Sequence, residues 1–478
     1  MTTSLFRRGA LALASLVLAA CNSLIPSYQR PALPLASAWP DASTAATAAD
    51  GTSTAAAELP WSDFLADARI RALVDIAQRN NRDLRLAVLN VEQVRAQLGI
   101  QRADLLPTIG AGANFTRAPN SSGSMTSAYS LGFAVSAYEL DLFGRVRSLE
   151  QVALARYLAS DEGRRAAQLA VVAAVASAEL AVRADDELLQ VTQRALQSRE
   201  ESLRLVRVRF DGGVSAEPEL RGAESLLAAA RASLAGLQRQ RSLDGNALVL
   251  LLGQPLPADL PAAKPLQQVH FSELPVGLPS DVLLKRPDIS QAEQQLLAAN
   301  ANIGAARAAF FPRITLTGTL GTASNQLSGL FDTVAWTFAP QLLYPLFDSG
   351  RNASNLAAAK VGRDIAIAQY EKAIQVAFRE VADALAARAT LGEQLAAQRA
   401  QAAAEDRRAE LAGQLLRGGA ASQLDLLDAQ RAGLAARQAV VQLELARLQN
   451  AVLLYRVLGG GAGQVQASPP VGTLKDLS

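Results

Sequence analysis

The chain carries one sequence pattern twice, at a nearly constant spacing. The stretch "GIQRADLLPTI" at 99–109 aligns with "GAARAAFFPRI" at 304–314, and five identical positions lie 205 residues apart. We therefore predict two copies of one structural unit, at 61–260 and 261–460. Further along the chain the spacing is 206 residues, for Gly212-Gly213 with Gly418-Gly419 and for Leu252-Gly253 with Leu458-Gly459.

In each copy the apolar period changes from that of a helix to that of a strand directly after a proline, Pro107 or Pro312. Two segments per copy, in hairpins at about 108–138 and 313–346, alternate apolar with small or polar residues. Their length matches a transmembrane strand of about 9 to 11 residues, so we expect the apolar face to contact lipid. Soluble hairpins packed on a core are the alternative. The expected lipid-facing residues are Ile109, Phe115, Leu131, Phe133, Ile314, Leu316, Trp336 and Phe338.

Four such strands cannot form a closed barrel on their own. The smallest outer-membrane barrels have about eight strands. An open sheet edge is not tolerated in lipid, because its backbone groups stay unpaired there. If these strands cross a membrane, several copies of the chain must therefore combine their strands in one barrel.

Long helical stretches follow the strands. From Arg145 to Phe210 there is neither a proline nor a cluster of turn residues, and about 65 residues make a helix on the order of 100 Å long. The stretch from Arg351 to Leu416 has the same character. Helices of this length pack lengthwise on neighbours. The composition, 50% apolar but only 5% aromatic, suits such close packing. We expect Arg145 and Arg351 to stabilise the junctions between strand and helix.

Each glycine pair is predicted to turn the chain back into a second helix, with tips at 211–215 and 417–422. Ser215 and Ser422 are predicted to cap the return helices. Because both tips lie equally far along the chain from the strands, they would form one ring in an oligomer and offer a docking surface. A plain structural turn is the alternative. The residues expected to supply positive φ angles are Gly212, Gly213, Gly418 and Gly419.

The first residues predict a processed leader. Arg7 and Arg8 precede an apolar stretch that ends in "LAAC" at 18–21, which is typical of a bacterial lipobox with an acylated cysteine. We therefore predict a signal peptide at 1–20 and lipid on Cys21, which is the only cysteine. An ordinary signal peptide that happens to precede a cysteine is the alternative.

The segments outside the two copies have no apolar periodicity. Residues 21–60 are predicted to form an extended, lipidated tether, and 461–478 a C-terminal tail. Asn22 follows the cysteine where an aspartate would indicate retention in the inner membrane. The outer membrane is therefore the predicted location.

Charge and composition argue against a nucleic-acid binder and against an enzyme. The formal charge is +2, and loss of residues 1–20 would bring it to zero, so the basic excess of a nucleic-acid binder is missing. His270 is the single histidine, and we expect it on the surface. The sequence has no P-loop and no metal-ligand spacing. We predict no enzymatic activity and no cofactor beyond the covalent lipid on Cys21.

Taken together, these segments resemble the TolC-like outer-membrane factor family, in its OprM-like (NodT-type) lipoprotein branch from tripartite efflux systems. The segments that carry the resemblance are "CNSLIPSYQRP", "LLPTIG", "FFPRITLTG", "YELDLFGRVRS", "YPLFDSGR", "RFDGGVS", "RGGAAS" and "LDLLDAQR". The resemblance implies a mainly helical chain with membrane strands. It implies a homotrimer with a twelve-stranded barrel in outer-membrane lipid and a twelve-helix periplasmic barrel. An equatorial band would come from residues around 60–80, 260–285 and the C-terminus.

The resemblance also implies a function and a gate. The function would be passive export of small molecules, with the energy supplied by an inner-membrane transporter of the RND type through a periplasmic adaptor (membrane fusion protein) that docks on the tips. Leu424, Asp428 and Arg431 would close the periplasmic end, and their spacing places them on one helical face. An exposed acid in an ordinary helix salt bridge is the alternative for Asp428. A duct for type I protein secretion and a non-conducting coiled-coil lipoprotein are the alternative functions.

Overall fold

The computed structural model describes residues 23–32, 39, 59–274 and 280–461, without the side chains of 280–282. The predicted signal peptide and the lipidation site Cys21 lie outside the described residues. Most of the predicted tether and of the C-terminal tail lie outside them as well.

The described chain is mainly helical and has four strands in one sheet, which confirms the predicted fold class at this level. The strands are β1 (Ile109–Pro119), β2 (Met125–Leu140), β3 (Arg313–Ser324) and β4 (Val334–Leu343). The helices are α1 (Trp61–Phe64), α2 (Ala68–Asn80), α3 (Arg82–Ala103), α4 (Arg145–Asp211), α5 (Glu217–Leu252), α6 (Pro287–Ala308), α7 (Arg351–Arg417) and α8 (Gln423–Val457). Short 3-10 turns lie at Leu266–Gln268, Ser280–Lys285 and Leu327–Gly329.

The chain divides into two compact units. One comprises Met1–Pro34, Val88–Gly163 and Asp288–Ala373, and it contains the sheet. The other comprises Leu35–Ala87, Arg164–Pro287 and Ile374–Ser478, and it contains both glycine turns. Among the described residues, α4 is the one helix long and apolar enough to cross a membrane, a test that buried helices also pass.

The sheet is antiparallel throughout, with the strand order β1-β2-β3-β4. Phe133 of β2 lies opposite both Ala111 of β1 and Leu320 of β3, so each strand's apolar residues line up with those of the next. One irregularity interrupts β2 beyond Val135, where Ala137 has a φ of 52°. The sheet therefore keeps one face apolar across all four strands.

A row of small residues crosses the opposite face of the sheet. Gly112, Gly132, Gly321 and Ala335 lie opposite one another on successive strands. A Cβ added at Gly132 would lie 2.5 Å from the carbonyl oxygen of Leu320, which is closer than atoms can pack. Glycine at this position therefore allows β2 and β3 to approach closely.

The N-terminal residues 23–32 pack against α6 of the same unit, which the prediction of an extended tether did not anticipate. Arg307 Nη1 donates to the carbonyl oxygen of Leu24 at 3.1 Å. Arg30 donates from Nε and Nη2 to the two carboxylate oxygens of Glu293, both at 2.8 Å. The segment is therefore attached to the helix near both of its ends.

The junction between the sheet and α4 is built around Glu139. This carboxylate accepts two hydrogen bonds of 2.7 Å from Arg145 and also binds Arg313 at the start of β3. The position 206 residues after Glu139 is Pro345, and among the described residues Arg351 has no ion-pair partner. Arg145 therefore stabilises its junction as predicted, whereas Arg351 has no equivalent acid within the described chain.

The second unit has a buried ion-pair network close to α2. Arg183 of α4 donates to both carboxylate oxygens of Asp67, at 3.0 Å each, and to Glu179 at 2.8 Å. Asp67 also caps α2 by accepting from the backbone N–H groups of Arg69 and Ile70. His270 lies in the irregular segment between α5 and α6, and it is exposed, as predicted.

Candidate functional site

The eight residues predicted to contact lipid share one face of the sheet. The strand register places Phe133, Leu320 and Trp336 opposite one another, and the other predicted positions follow at intervals of two. Trp336 is 71% exposed, whereas Ile314 and Leu316 are half-buried. The described chain thus presents a largely exposed apolar sheet face, with Thr319 and Thr337 hydrogen-bonded at 2.6 Å on the opposite face.

The two edge strands of this sheet, β1 and β4, each have a strand partner on one side only within the described chain. Each edge carries backbone N–H and C=O groups that need a partner. An apolar face with two open edges is unsuited both to water and to lipid as long as the chain stands alone.

Both helical tips form the same glycine turn. The N–H of Val214 donates to the carbonyl of Arg209, and that of Gly213 donates to Phe210; this pair of bonds defines a Schellman motif. Gly419 ends α7 in the same way. Gly213 has a φ of 70° and Gly419 a φ of 75°, while Gly212 and Gly418 are outside the positive-φ region. The prediction of positive φ was therefore wrong for the first glycine of each pair.

The two return helices begin differently. Ser422 caps α8 in a full capping box with Asp425, as predicted. The predicted cap at Ser215 is wrong, because the N-cap of α5 is Ala216, which offers no side-chain hydrogen bond. Ser215 instead donates its hydroxyl to Glu219. Pro218 lies in the first turn of α5, where a missing N–H has no cost.

The predicted gate residues lie together near the second tip. Asp428 accepts a hydrogen bond of 2.6 Å from Arg431, and Leu424, one turn earlier, is 71% exposed. The residue that the sequence reasoning missed is Arg408 of α7, which donates to the second carboxylate oxygen of Asp428 at 2.8 Å. Arg408 and Asp428 are equally distant from Gly418, a relation by which an antiparallel hairpin brings residues together.

The electrostatics of this group are set by the two arginines. The hydrogen bond from Arg408, followed by the charge of Arg431, keeps the pKa of Asp428 below its ordinary value. Arg408 also binds Glu405 on its own helix at 3.1 Å. Asp428 therefore stays ionised near neutral pH and links α7 to α8 through charge at a solvent-exposed position.

The described residues show no cluster of three or more side chains suited to bind a metal ion. The site consists of an apolar sheet face, two exposed helical tips and a charged link between two helices.

Comparison with known proteins identifies the family. The sequence model described as "Outer membrane efflux protein" matches residues 73–254 and 278–460, which is most of the chain. The chain belongs to the outer membrane efflux protein family. It is 45% identical over 457 residues to the solvent efflux pump outer membrane protein SrpC of Pseudomonas putida, covering 94% of this chain and 97% of SrpC. It is 44% identical to outer membrane protein OprJ of Pseudomonas aeruginosa, with 94% and 95% coverage.

Solved structures agree with this assignment. The open state of the MtrE outer membrane channel of Neisseria gonorrhoeae superposes with a TM-score of 0.85 at 42% identity, covering 92% of this chain and 99% of MtrE. The chain is therefore an efflux channel protein of the outer membrane, and the predicted family, location and general function are confirmed. None of these three relatives is named as an enzyme.

Proposed function

We propose that three copies of this chain form one duct that passively conducts small molecules from the periplasm to the exterior. The observation that carries the proposal is the sheet, with its exposed apolar face and two open edges. Four strands from each of three copies give a twelve-stranded barrel without edges, within the range of about 8 to 26 strands of outer-membrane barrels. By the same count, α4, α5, α7 and α8 give a twelve-helix barrel for the periplasmic part.

The duplicated sequence specifies how neighbouring copies would pair. In the two hairpins β1 corresponds to β3 and β2 corresponds to β4, with Asn114 at the position of Thr319 and Gln341 at the position of Ala134. Within the chain β2 pairs with β3, and Ala134 lies opposite Thr319. If β4 pairs in the same way with β1 of the next copy, Gln341 lies opposite Asn114. Both residues lie on the polar face of the sheet, where water and a soluble oxidant reach them. The proposal therefore predicts a specific contact between copies.

Disulfide cross-linking tests this contact. In the double variant Asn114→Cys with Gln341→Cys, the two Cα atoms lie within reach of a disulfide only across the junction of two copies. We expect oxidation to join three chains, seen as a trimer on a denaturing gel and lost on reduction. The control pairs Gln341→Cys with Thr116→Cys, which is displaced along the strand by about 7 Å. Equal cross-linking of both pairs, or of neither, would contradict the proposed barrel.

The two tips and the charged link next to the second tip are proposed as the docking surface and the gate. Apolar side chains are exposed there, Val214 at the first tip and Leu424 at the second, and a protein partner would cover them. We assign docking of the periplasmic adaptor to the tips at Gly212-Gly213 and Gly418-Gly419. Closure is assigned to Leu424, Asp428 and Arg431 together with Arg408, and the energy to an inner-membrane transporter of the RND type.

The lipid anchor is proposed at Cys21, and the packing of the next residues supports it. Ser23 lies close to Gly144, at the junction of the sheet with α4, and Leu24 is held by Arg307 of α6. Two residues of extended chain span about 7 Å, so an acyl chain on Cys21 would start near the end of the sheet. An intact mass that lacks acyl groups, measured on protein extracted from membranes, would exclude the anchor.

The cargo is proposed to be small organic molecules. SrpC, 45% identical over nearly its whole length, is named for solvent efflux. The sheet face that would line the duct carries small and hydroxyl-bearing side chains, including Thr319 and Thr337, and these do not discriminate strongly between solutes. Selection of the cargo is therefore assigned to the transporter.

The predicted division of the chain into two copies of one structural unit, 61–260 and 261–460, is part of this proposal.

A further inference from the structure

Within the chain, the second helical hairpin packs against the first through neutral hydrogen bonds between α8 and α4. Three side-chain amides of α8 donate to three hydroxyl oxygens of α4: Gln423 to Ser202, Gln430 to Ser198 and Gln438 to Thr192, at 3.2, 3.4 and 3.1 Å. Ser202 and Gln423, the pair nearest to the tips, are almost fully buried. We call this antiparallel contact between α4 and α8 the hairpin seam.

The duplication gives the hairpin seam a counterpart, because each of its positions recurs 206 residues away on the other hairpin. α7 corresponds to α4, and α5 corresponds to α8. The counterpart of Ser202 is Arg408, and the counterpart of Gln423 is Glu217. Among the described residues no hydrogen bond or ion pair joins α5 to α7, so this counterpart contact is not made within the chain.

Both sides of the counterpart contact are exposed in the single chain. The side chain of Glu217 is 63% exposed and that of Arg408 is 50% exposed. Further along α5, Leu243 is 53% exposed, and its counterpart Gln449 contacts α4 by donating to the carbonyl oxygen of Ser177. The face of α5 that corresponds to the hairpin seam therefore has both negative charge and apolar surface, which a partner helix would cover favourably.

We propose that α7 of one copy packs against α5 of the next copy in the register of the hairpin seam, and that Arg408 binds Glu217 of that next copy. This inference rests on the proposed trimer, in which the second hairpin of one copy has the first hairpin of the next copy as its neighbour. The contact within a chain is neutral, whereas the contact between copies is charged.

Arg408 has donors left for this additional partner. Its Nη1 donates to Glu405 at 3.1 Å and its Nη2 donates to Asp428 at 2.8 Å. A guanidinium has five N–H groups, so further hydrogen bonds to a carboxylate remain open. Arg408 would thereby connect Asp428, a proposed gate residue of its own chain, with Glu217 of the next copy.

The charge lies only at the pair nearest to the tips. The counterpart of the next pair, Ser198 with Gln430, is Ala404 with Glu224, which offers no opposite charges. Charge complementarity at an interface fixes register and excludes wrong partners more than it adds affinity. We therefore assign to Arg408 and Glu217 the role of setting the register between copies next to the proposed gate.

Cross-linking of cysteine pairs in the full-length protein tests this register. The variant Glu217→Cys with Arg408→Cys is treated with a short bifunctional thiol reagent, because the two long side chains span more than a direct disulfide does. We expect covalent trimers on a denaturing gel. The matched pair Ser202→Cys with Gln423→Cys should link within one chain and migrate as a single chain. The pair Glu217→Cys with Gln401→Cys is displaced by about 10 Å along α7 and should not join copies.

The outcomes separate this inference from the proposed trimer. If Glu217→Cys with Arg408→Cys joins no copies while Asn114→Cys with Gln341→Cys still joins three, the register is overturned and the barrel stands. If neither pair joins copies, the trimer fails and this inference fails with it. Cross-linking of Glu217→Cys with Arg408→Cys inside a single chain would also overturn the proposal.

Exchange of the charges gives a second, independent test. Arg408→Ala should make the amides in the first turns of α5 exchange hydrogen severalfold faster, although α7 and α5 of one chain share no hydrogen bond. Glu217→Arg should do the same, and the double variant Glu217→Arg with Arg408→Glu should restore slow exchange. The control Arg204→Ala removes an ion pair with Glu201 inside α4 and should leave these amides unchanged. Exchange in the double variant as fast as in the single variants would contradict the pairing.

Discussion

The two helical hairpins, α4 with α5 and α7 with α8, turn at the same type of glycine motif but are stabilised differently beside it. Next to the first turn, Val206, Leu220 and Ala223 form a buried apolar cluster. Next to the second turn, the helices are linked by the half-exposed ion pair of Arg408 with Asp428. An ion pair between the helices is also present at the first tip, where Arg207 of α4 binds Glu224 of α5 at 3.2 Å. The buried apolar cluster is therefore the feature that distinguishes the first tip from the second.

This difference indicates which tip moves more readily. Separating the helices of the first hairpin exposes apolar surface to water, which is unfavourable at any ionic strength. Separating those of the second exchanges ion pairs for hydrated charges, a change that is small for exposed groups and is screened by salt. The second hairpin is therefore the better moving part of the proposed gate, and the first is the better fixed support.

The largest effect on conduction is expected from Asp428→Ala. This change leaves Arg408 and Arg431 without their common partner, so the two arginines repel each other and the link between α7 and α8 is lost. We expect a severalfold rise in the conductance of single channels in planar bilayers, most marked at low salt. Glu410→Ala is the matched control, because it removes an ion pair with Arg407 within one helix only. Equal conductance of Asp428→Ala and the wild type would place the gate elsewhere.

The pH dependence of the wild type sharpens the same test. Because the arginines lower the pKa of Asp428, its ion pairs are fully present above the ordinary carboxyl value of about 3.9 and are lost only as the pH falls through the lowered pKa. Conductance should therefore not change through this group between about pH 5 and pH 8. A conductance step within that range which disappears in Asp428→Ala would contradict the assignment.

The largest effect on stability is expected from Leu220→Ala at the first tip. Removing a buried leucine side chain from the apolar cluster costs about 2 to 5 kcal/mol, so the first hairpin should open more often. Hydrogen exchange of the amides in α4 and α5 measures the free energy of this opening. Leu424→Ala removes the same atoms at a position that is 71% exposed and should change stability by less than about 0.5 kcal/mol. Similar losses in the two variants would contradict the comparison.

Positions that depend on one element alone could be predicted from the sequence. Alternation along each strand placed residues such as Phe133 and Trp336 on one face, and helical spacing placed Asp428 beside Arg431. These patterns need only the period of the element. Contacts between elements were missed, among them Arg408 with Asp428, because they depend on how two helices align and on how long the turn between them is.

The error at Ser215 shows the same limit in a single residue. Both turns place the N-cap three residues after the positive-φ glycine, at Ala216 after Gly213 and at Ser422 after Gly419. Ser215 is one residue too early, although its type suits a cap. The residue 206 positions before Ser422 is Ala216. Comparison of the two copies would therefore have predicted the N-cap correctly, whereas the preference of N-caps for serine did not.

A smaller effect is expected from alanine at the positive-φ glycines. Gly213→Ala forces a left-handed conformation on a residue with a Cβ, which costs about 1 to 2 kcal/mol, although no atom lies within 4 Å of the added Cβ. Gly212→Ala is the matched control, because its φ is ordinary and the nearest atom to its Cβ is a carbonyl oxygen at 3.4 Å. Thermal unfolding of the two variants should therefore differ. Equal loss at both positions would show that the turn depends on close packing rather than on φ.

The smallest effects are expected from exchanging the caps of the two return helices. Ser422→Ala removes the hydroxyl that accepts from the N–H of Asp425 and should cost about 1 kcal/mol. Ala216→Ser adds a hydroxyl at the corresponding position of α5, where the backbone is already extended with φ −83° and ψ 153°, and should stabilise that hairpin by a similar amount. Hydrogen exchange in the first turn of each return helix measures both changes. Ser215→Ala should leave the start of α5 unprotected to the same extent as in the wild type, because its hydroxyl binds Glu219 and no backbone N–H. If Ser215→Ala exposed these amides as strongly as Ser422→Ala exposes those of α8, the two tips would share one capping mechanism, and the contrast between them would rest on the apolar cluster alone.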